Sequence, residues 1–292
     1  MVVTALNTDF PIRLSEEMIA SYELSGYLVM PGVLSQEEIE RYGPAVDEEV
    51  GARTQKDERS VAEKSLYEQS FIQCMRLWET SEEIRPLSCH SGLAGIAAQL
   101  MRVESVRMWQ DQALYKEPGG RETTPHQDQT FWPIGDEPLV SAWIPFQDVT
   151  IENGAMAYVP GSHKAGRLKV VDITHSTDPY EILNDSALGG RKPEYVEVRA
   201  GSVVWHHGLT VHQAASNKSQ EVRRVFTVVY IYSGARRIKS WPTFPLDREH
   251  IEVGEQIRGD GMPVLWPPQD QLPDAPNIVG EATGPQFRTQ AD

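Results

Sequence analysis

The sequence has few cysteines, no long hydrophobic run and few basic residues. Its two cysteines, Cys74 and Cys89, form no CxxC pair and are too few for a disulfide framework. No apolar stretch is long enough to span a bilayer, and residues 1–13 lack the basic and apolar regions of a signal peptide. We therefore expect a cytoplasmic protein with reduced thiols and no membrane partner.

Acidic residues outnumber basic ones by 42 to 27 in the 292-residue chain, which gives a formal net charge of -15. A surface of this sign repels phosphate backbones, so the charge argues against nucleic acid as a partner. Hydrophobic residues make up 40% and charged residues 24%, as in an ordinary globular protein that can bury a substantial core. A small-molecule substrate is therefore the expected partner. The composition does not indicate an oligomeric state.

The length of the chain allows one large domain or two ordinary ones, and the pattern of apolar residues predicts a mainly β fold with flanking helices. A helical part covers about 14–101, with Ser15 and Ser35 as N-caps and further helices near Tyr67–Thr80 and Ser91–Met101. A strand-rich core covers about 104–235, and a wrapping C-terminal tail covers about 242–292. Short strands without intervening helices indicate a sandwich or barrel, and the candidates are Leu139–Val149, Ala155–Val159, Tyr195–Val198, Ser202–Trp205 and Val225–Tyr232.

Two further segments carry structural predictions. In the first core strand, alternation predicts that one face is shared by Val106, Met108, Gln110, Gln112 and Leu114. Residues 172–193 contain many turn formers and few apolar residues, which predicts a functional loop or lid.

A candidate metal site begins with His126-Gln127-Asp128. On a strand, residues at i and i+2 point to the same face, so His126 and Asp128 can share one ion. The third ligand comes from His206, His207 or His212, and we favour His212 because a strand-like run precedes it and a polar turn follows. Two imidazoles and one carboxylate are the facial triad of non-haem Fe(II), although zinc accepts the same ligands.

Arg223 follows His212 by eleven residues and opens an apolar strand together with Arg224. Because successive side chains of a strand point to opposite faces, the two arginines face opposite ways, and one of them can enter the barrel. A buried guanidinium suits a bidentate carboxylate, which makes Arg223 a candidate anchor for a dicarboxylate cosubstrate; an ordinary ion pair is the alternative. The substrate pocket has apolar and ring-bearing candidates, which are equally common in cores: Phe131, Trp132, Trp205 and His207.

These residues resemble the phytanoyl-CoA dioxygenase family of Fe(II)/2-oxoglutarate oxygenases over most of residues 14–235. The likeness rests on the metal residues, on Arg223 and on three stretches, which are residues 26–34, residues 116–119 leading into 125–128, and residues 153–154 followed by 159–163. It implies one domain over residues 1–292, built on a double-stranded β-helix, a cupin-like jelly-roll, with iron at His126, Asp128 and His212. It also implies that Arg223 binds the distal carboxylate of 2-oxoglutarate, that Trp143 lines this cosubstrate, and that Gln110 or Gln112 contacts it. Ala214 stands where some members have a serine that contacts 2-oxoglutarate.

The implied activity is that of an Fe(II)- and 2-oxoglutarate-dependent dioxygenase. Such an enzyme uses O2 to hydroxylate, or otherwise oxidise, an unactivated C–H bond, here in a small metabolite or natural-product intermediate, and releases succinate and CO2. Asp128 is present where halogenating relatives have a small residue, which favours hydroxylation. Two alternatives stay open: a non-oxidative, metal-dependent lyase or isomerase of cupin type, and a non-enzymatic ligand-binding barrel.

Overall fold

The computed structural model describes residues 12–173 and 180–284, which are mostly β. The strands are Tyr27–Met30 (β1), Ile72–Met75 (β2), Val106–Lys116 (β3), Thr123–His126 (β4), Leu139–Pro145 (β5), Met156–Tyr158 (β6), Glu194–Val196 (β7), Val203–His207 (β8), His212–Ala214 (β9), Arg223–Tyr232 (β10), Val264–Trp266 (β11) and Ala282–Thr283 (β12). The helices are Glu16–Ser25 (α1), Gln36–Thr54 (α2), Arg85–Ser88 (α3), Ser91–Met101 (α4) and Phe244–Asp247 (α5).

Within the described residues, the strands form two antiparallel sheets. The large sheet has the order β1-β8-β5-β10-β3-β2-β12, with β11 also paired to β3, and the small sheet has the order β4-β9-β6-β7. The two longest strands, β3 and β10, pair along most of their length at the centre of the large sheet. Because residues of both sheets line one interior space, the predicted jelly-roll core is confirmed.

The helices begin where their capping residues predict. The Ser15 side chain accepts the Met18 N–H at the start of α1, and Ser35 and Glu38 form a capping box at the start of α2. The predicted helix Ser91–Met101 is confirmed as α4. Local hydrogen bonding and apolar periodicity are therefore sufficient to place these three helices.

The predicted helix near Tyr67–Thr80 is wrong. Its central residues form β2, which pairs antiparallel with β3, and a 3-10 turn over Leu77–Glu79 follows. Pairing with the edge of β3 satisfies backbone groups that would otherwise be buried without partners, and this tertiary gain outweighs the local helical pattern. The change matters for function because β2 then borders the interior of the barrel.

The outer face of the large sheet forms the main core with the helices. Leu93 and Ile96 of α4 pack in one cluster with Phe226 and Val228 of β10, and all four side chains are fully buried. Each such side chain contributes roughly 1.5–3 kcal/mol by its burial. The alternate residues of β10, such as Thr227, point to the interior between the sheets. The same period of two therefore builds a core on one face and a cavity wall on the other.

A bulge in β3 overturns the predicted common face of residues 106–114. Val229 pairs with Gln110 and Tyr230 pairs with Met108, so Trp109 is an extra residue in β3. Met108 consequently packs with the helices, whereas Trp109 and Gln110 both reach the interior. The bulge turns the second half of β3 toward the cavity.

The C-terminal residues 242–284 lie against the large sheet, where β11 pairs with β3 and β12 pairs with β2. Residues 1–11, residues 174–179 of the predicted lid, and residues 285–292 of the predicted tail lie outside the described residues. The described remainder of the lid segment contains the 3-10 turns Ile182–Asn184 and Ser186–Leu188. Among the described helices, none combines the length and apolar character needed to cross a bilayer.

Candidate metal centre and its cavity

His126 and Asp128 lie at the junction between the end of β4 and a short 3-10 turn. Gln127, between them, is buried and points away from the interior. Its side-chain amide donates to the carbonyl oxygens of Gly166 and Leu209 at 2.9 and 2.7 Å. Gln127 thereby ties the turn to two neighbouring segments, and the two flanking side chains are held toward the cavity.

His212 comes from β9 and is the cross-strand partner of His126, with ring centroids 4.4 Å apart. Each ring places Nδ1 near the carbonyl oxygen two residues before it, at 2.7 Å from Thr124 and 2.9 Å from Thr210. A carbonyl only accepts, so Nδ1 carries the proton and the lone pair of Nε2 is free. One ligand atom each from His126, Asp128 and His212 lies within 4.8 Å of the others, which suits a single metal ion.

The Asp128 carboxylate faces both rings. Its Oδ1 lies 3.3 Å from Nε2 of His126 and 3.5 Å from Nε2 of His212. Burial acts to raise the pKa of Asp128, but the hydrogen bond that Nε2 of His206 donates to Oδ2 helps to hold this pKa well below its usual range, so the carboxylate is ionised. Burial lowers the pKa of His212 to about 3, which keeps this ring neutral. An ionised carboxylate and neutral imidazoles are the forms that bind metals, so these residues fit an iron ion.

His206 and His207 lie on opposite faces of β8. His206 is buried, and its Nε2 lies 3.2 Å from Oδ2 of Asp128. The His207 ring is instead 5.3 Å from the His163 ring, and its Nδ1 accepts the Leu209 N–H. His207 is absent from the residues that line the cavity. The prediction that His207 contacts substrate is therefore wrong, and His206 is the histidine that joins the site.

Arg223 begins β10 with its guanidinium buried between the sheets. It donates to the carbonyl oxygens of Gly154 at 2.8 Å and Leu114 at 3.3 Å, while its Nε is buried without a partner. The guanidinium carbon lies 5.6 Å from the centre of the Trp143 ring. Within residues 12–173 and 180–284, no Asp or Glu pairs with it. Burial lowers its pKa to about 10, so the group stays cationic at neutral pH.

The next residue, Arg224, faces the other side of the sheet, as alternation predicted. It binds Oδ2 of Asp47 in α2 at 2.7 Å. Arg224 thus has the ordinary ion pair that was the alternative for Arg223. The arginine that enters the barrel keeps a positive charge available for an anion.

One cavity joins the three metal-ligand candidates to Arg223. Its lining also includes Gln110, Gln112, Phe131, Trp132 and Trp143, which were singled out from the sequence. Trp205 does not belong to this lining. It is fully buried on the outer face of β8, where its ring lies 6.3 Å from that of Tyr230. Its predicted place in the substrate pocket is wrong because neighbouring residues on a strand face opposite ways.

Hydrogen bonding orients one of the two glutamines. The Tyr67 hydroxyl donates to Oε1 of Gln73 at 2.7 Å, and Nε2 of Gln73 donates to Oε1 of Gln112 at 2.7 Å. Because the carbonyl end of Gln112 is occupied, its NH2 group is the end available to the cavity. Thr227, the cross-strand partner of Gln112, has a buried hydroxyl without a partner on the same wall.

Several lining residues were missed in the sequence. Tyr67, Gln73 and Arg76 lie in the segment that was predicted as a helix, where the β-favouring pair Phe71-Ile72 is the available local signal for a strand. Arg76 packs 5.0 Å from the ring of Phe244, which arrives from the C-terminal tail. No local pattern could place Phe244 in the cavity, because its position depends on how the tail folds back.

The jelly-roll brings together a candidate mononuclear metal site of the two-histidine, one-carboxylate type, with a cationic pocket beside it. The profile of the phytanoyl-CoA dioxygenase (PhyH) family matches residues 22–225, and the chain belongs to this family, as the sequence motifs predicted. Phytanoyl-CoA dioxygenase domain-containing protein 1 of Danio rerio is 35% identical over 130 residues, which cover 40% of this chain and 42% of that protein. The chain thus aligns with less than half the length of that relative.

Two solved structures extend the comparison to most of the chain. The non-heme alpha ketoglutarate dependent carbocyclase SnoK from nogalamycin biosynthesis is 29% identical with a TM-score of 0.72, covering 87% of this chain and 99% of that chain. The epimerase SnoN in complex with Fe3+, alpha ketoglutarate and nogalamycin RO is 25% identical with a TM-score of 0.67, covering 86% and 98%. Both similarities support the jelly-roll assignment.

Proposed function

We propose that this protein is an Fe(II)- and 2-oxoglutarate-dependent oxygenase that oxidises a C–H bond of a small metabolite or natural-product intermediate. One observation carries the proposal: three metal-ligand atoms converge within 4.8 Å in the same cavity as a buried, cationic Arg223. His126 and His212 would bind iron through Nε2, and Asp128 through a carboxylate oxygen.

The arginine favours this function over the alternatives. A metal-dependent lyase or isomerase and a zinc protein need the ligands but not a buried guanidinium that lacks an acidic partner among the described residues. An uncompensated buried charge costs free energy, so its presence indicates an anionic ligand. A non-enzymatic barrel would have no need of a complete metal-ligand set.

The wall around Arg223 suits 2-oxoglutarate. Arg223 would bind the distal carboxylate through its free donors, with the Trp143 ring beside it. The Gln112 NH2 group would donate to a cosubstrate oxygen. The serine hydroxyl that some relatives use is absent at Ala214, and the unpartnered hydroxyl of Thr227 can supply a donor in its place.

The bound iron and 2-oxoglutarate would supply the oxidising chemistry, in which O2 is consumed and succinate and CO2 are released. The protein's own residues bind, orient and exclude water. The Nδ1 contacts of His126 and His212 hold both rings in one tautomer. Asp128 keeps a full negative charge at the site, which a halogenating relative would lack.

The cavity lining includes several aromatic side chains, among them Phe71, Phe131, Trp132 and Phe244. The Phe131 ring lies 5.7 Å from that of His126, so a substrate on this wall would lie close to the metal. Such walls suit a substrate with ring surface. The similarity to SnoK and SnoN, whose names place them in nogalamycin biosynthesis or with a nogalamycin ligand, supports a natural-product scaffold.

The test is to load the purified protein with Fe(II) without oxygen, add 2-oxoglutarate and O2, and quantify succinate by mass spectrometry. The wild-type protein should form succinate, slowly alone and faster with a true substrate. His126→Ala should abolish it, and His250→Ala should match wild type because His250 is exposed and outside the cavity lining. Equal succinate formation by His126→Ala and wild type would refute the assignment.

A further inference from the structure

The two oxygens of the Asp128 carboxylate have different surroundings. Oδ1 faces Nε2 of His126 and of His212, at 3.3 and 3.5 Å. Oδ2 instead lies 3.2 Å from Nε2 of His206 and 3.3 Å from the hydroxyl of Ser141. One oxygen is therefore directed at the metal position, and the other is hydrogen-bonded by the large sheet.

The groups around Oδ2 are built into the fold. Ser141 and His206 are cross-strand partners on β5 and β8, with side chains on the interior face, and both are almost completely buried. On the opposite sheet, the Tyr158 hydroxyl lies 3.5 Å from Nδ1 of His206. In the tautomer in which Nε2 donates to the Asp128 carboxylate, which only accepts, Nδ1 is the acceptor for the Tyr158 hydroxyl.

We propose that His206, assisted by Ser141 and oriented by Tyr158, is a positioning residue that holds Asp128 to coordination through Oδ1 alone. This inference rests on the proposed function. Three protein ligand atoms on an octahedral ion leave three positions, which a chelating keto acid and O2 together require. A second oxygen from Asp128 would occupy one of them. The hydrogen bonds to Oδ2 oppose rotation of the carboxylate toward two-oxygen coordination, and they fix its orientation before iron binds.

His206 differs from a fourth ligand in where its nitrogen points. The set of mutually close ligand atoms consists of His126, Asp128 and His212, whereas Nε2 of His206 faces Oδ2 of the carboxylate. A residue with this role can be replaced by another hydrogen-bond donor of similar reach. A metal ligand cannot be replaced by an amide without loss of affinity, because amides bind transition metals poorly.

The test compares His206→Phe, which removes the donor, with His206→Gln, which keeps an N–H near the same place. Apoprotein is titrated with Mn(II) and, without oxygen, with Fe(II), and the dissociation constants are measured by calorimetry. We expect His206→Phe to weaken metal binding about 10- to 100-fold. His206→Gln should stay within about threefold of wild type, because it keeps the hydrogen bond that the phenylalanine removes. The anaerobic absorption band of the Fe(II)–2-oxoglutarate chelate should be lost or shifted in His206→Phe and retained in His206→Gln.

Equal weakening by His206→Phe and His206→Gln would overturn the inference, since it would indicate a metal ligand. Unchanged binding in both would overturn it as well. If His206→Phe does not fold, Ser141→Ala carries the test, with an expected weakening of about 3- to 10-fold for the loss of one hydrogen bond of typical net strength. Wild type and His126→Ala are titrated in parallel, and equal metal binding by these two would instead count against the proposed metal site.

Discussion

Replacement of Arg223 by leucine should separate cosubstrate binding from metal binding. The guanidinium is 2% exposed and is held by two backbone carbonyls, and it lies beside Trp143 rather than beside a metal-ligand candidate. Removing one partner of a buried ion pair costs about 3–5 kcal/mol. This corresponds to a rise of roughly 150- to 5000-fold in the dissociation constant of 2-oxoglutarate. Metal affinity should stay close to that of wild type.

The assay is calorimetric titration of 2-oxoglutarate into protein loaded with Mn(II), which binds the cosubstrate without turnover. Thermal unfolding gives an independent measurement: at a cosubstrate concentration of about 100 times the dissociation constant, wild type should gain about 2.7 kcal/mol of stability. Arg223→Leu should gain almost none under the same conditions. Arg223→Lys should be intermediate, because it keeps the charge but loses the planar fork.

The matched control is Arg224→Leu, the neighbouring arginine on the opposite face. It loses a partly exposed ion pair with Asp47, so its stability should fall by less than about 1 kcal/mol and its cosubstrate affinity should not change. If Arg223→Leu binds 2-oxoglutarate as tightly as Arg224→Leu does, the guanidinium is not the cosubstrate anchor and the argument from its burial fails.

Two further predictions concern stability. Burial raises the pKa of Asp111, which accepts from the Ser88 hydroxyl, to about 6 from 3.8. A raised folded-state pKa contributes stability that is present below about pH 4 and lost as pH rises through about 6. Urea unfolding should therefore show the stability of Asp111→Asn rising relative to wild type by about 2.4 kcal/mol between pH 4 and pH 8. A stability difference that does not vary with pH would contradict this. Gly154 has a φ of +103°, and an added Cβ would lie 3.0 Å from Cδ of Lys116, so Gly154→Ala should destabilise the fold by about 1–3 kcal/mol. The control is Gly51→Ala, on the exposed face of α2, where an added Cβ would have no atom within 4 Å; it should stabilise the fold by about 0.5–1 kcal/mol. A gain in stability for Gly154→Ala in the same denaturation series would show this reasoning to be wrong.

The sequence by itself determined the features that depend on near neighbours along the chain. Ser15 and Ser35 start helices because a hydroxyl two or three residues before an N–H can cap it. Arg223 and Arg224 face opposite ways because successive residues of a strand alternate. The same rule lets His126 and Asp128 share a face, and the structure brings this pair together with His212.

The tertiary structure decided everything that depends on which strands pair and in which register. The bulge at Trp109 places Met108 in the core and Gln110 at the cavity, and no property of that segment alone predicts the bulge. Residues 72–75 become a strand because the edge of β3 is available to them. His206 rather than His207 meets Asp128 because β8 pairs with β5 in the register that places His206 opposite Ser141. A shift of one residue would exchange the two faces, so the choice depends on long-range packing that local pattern does not encode.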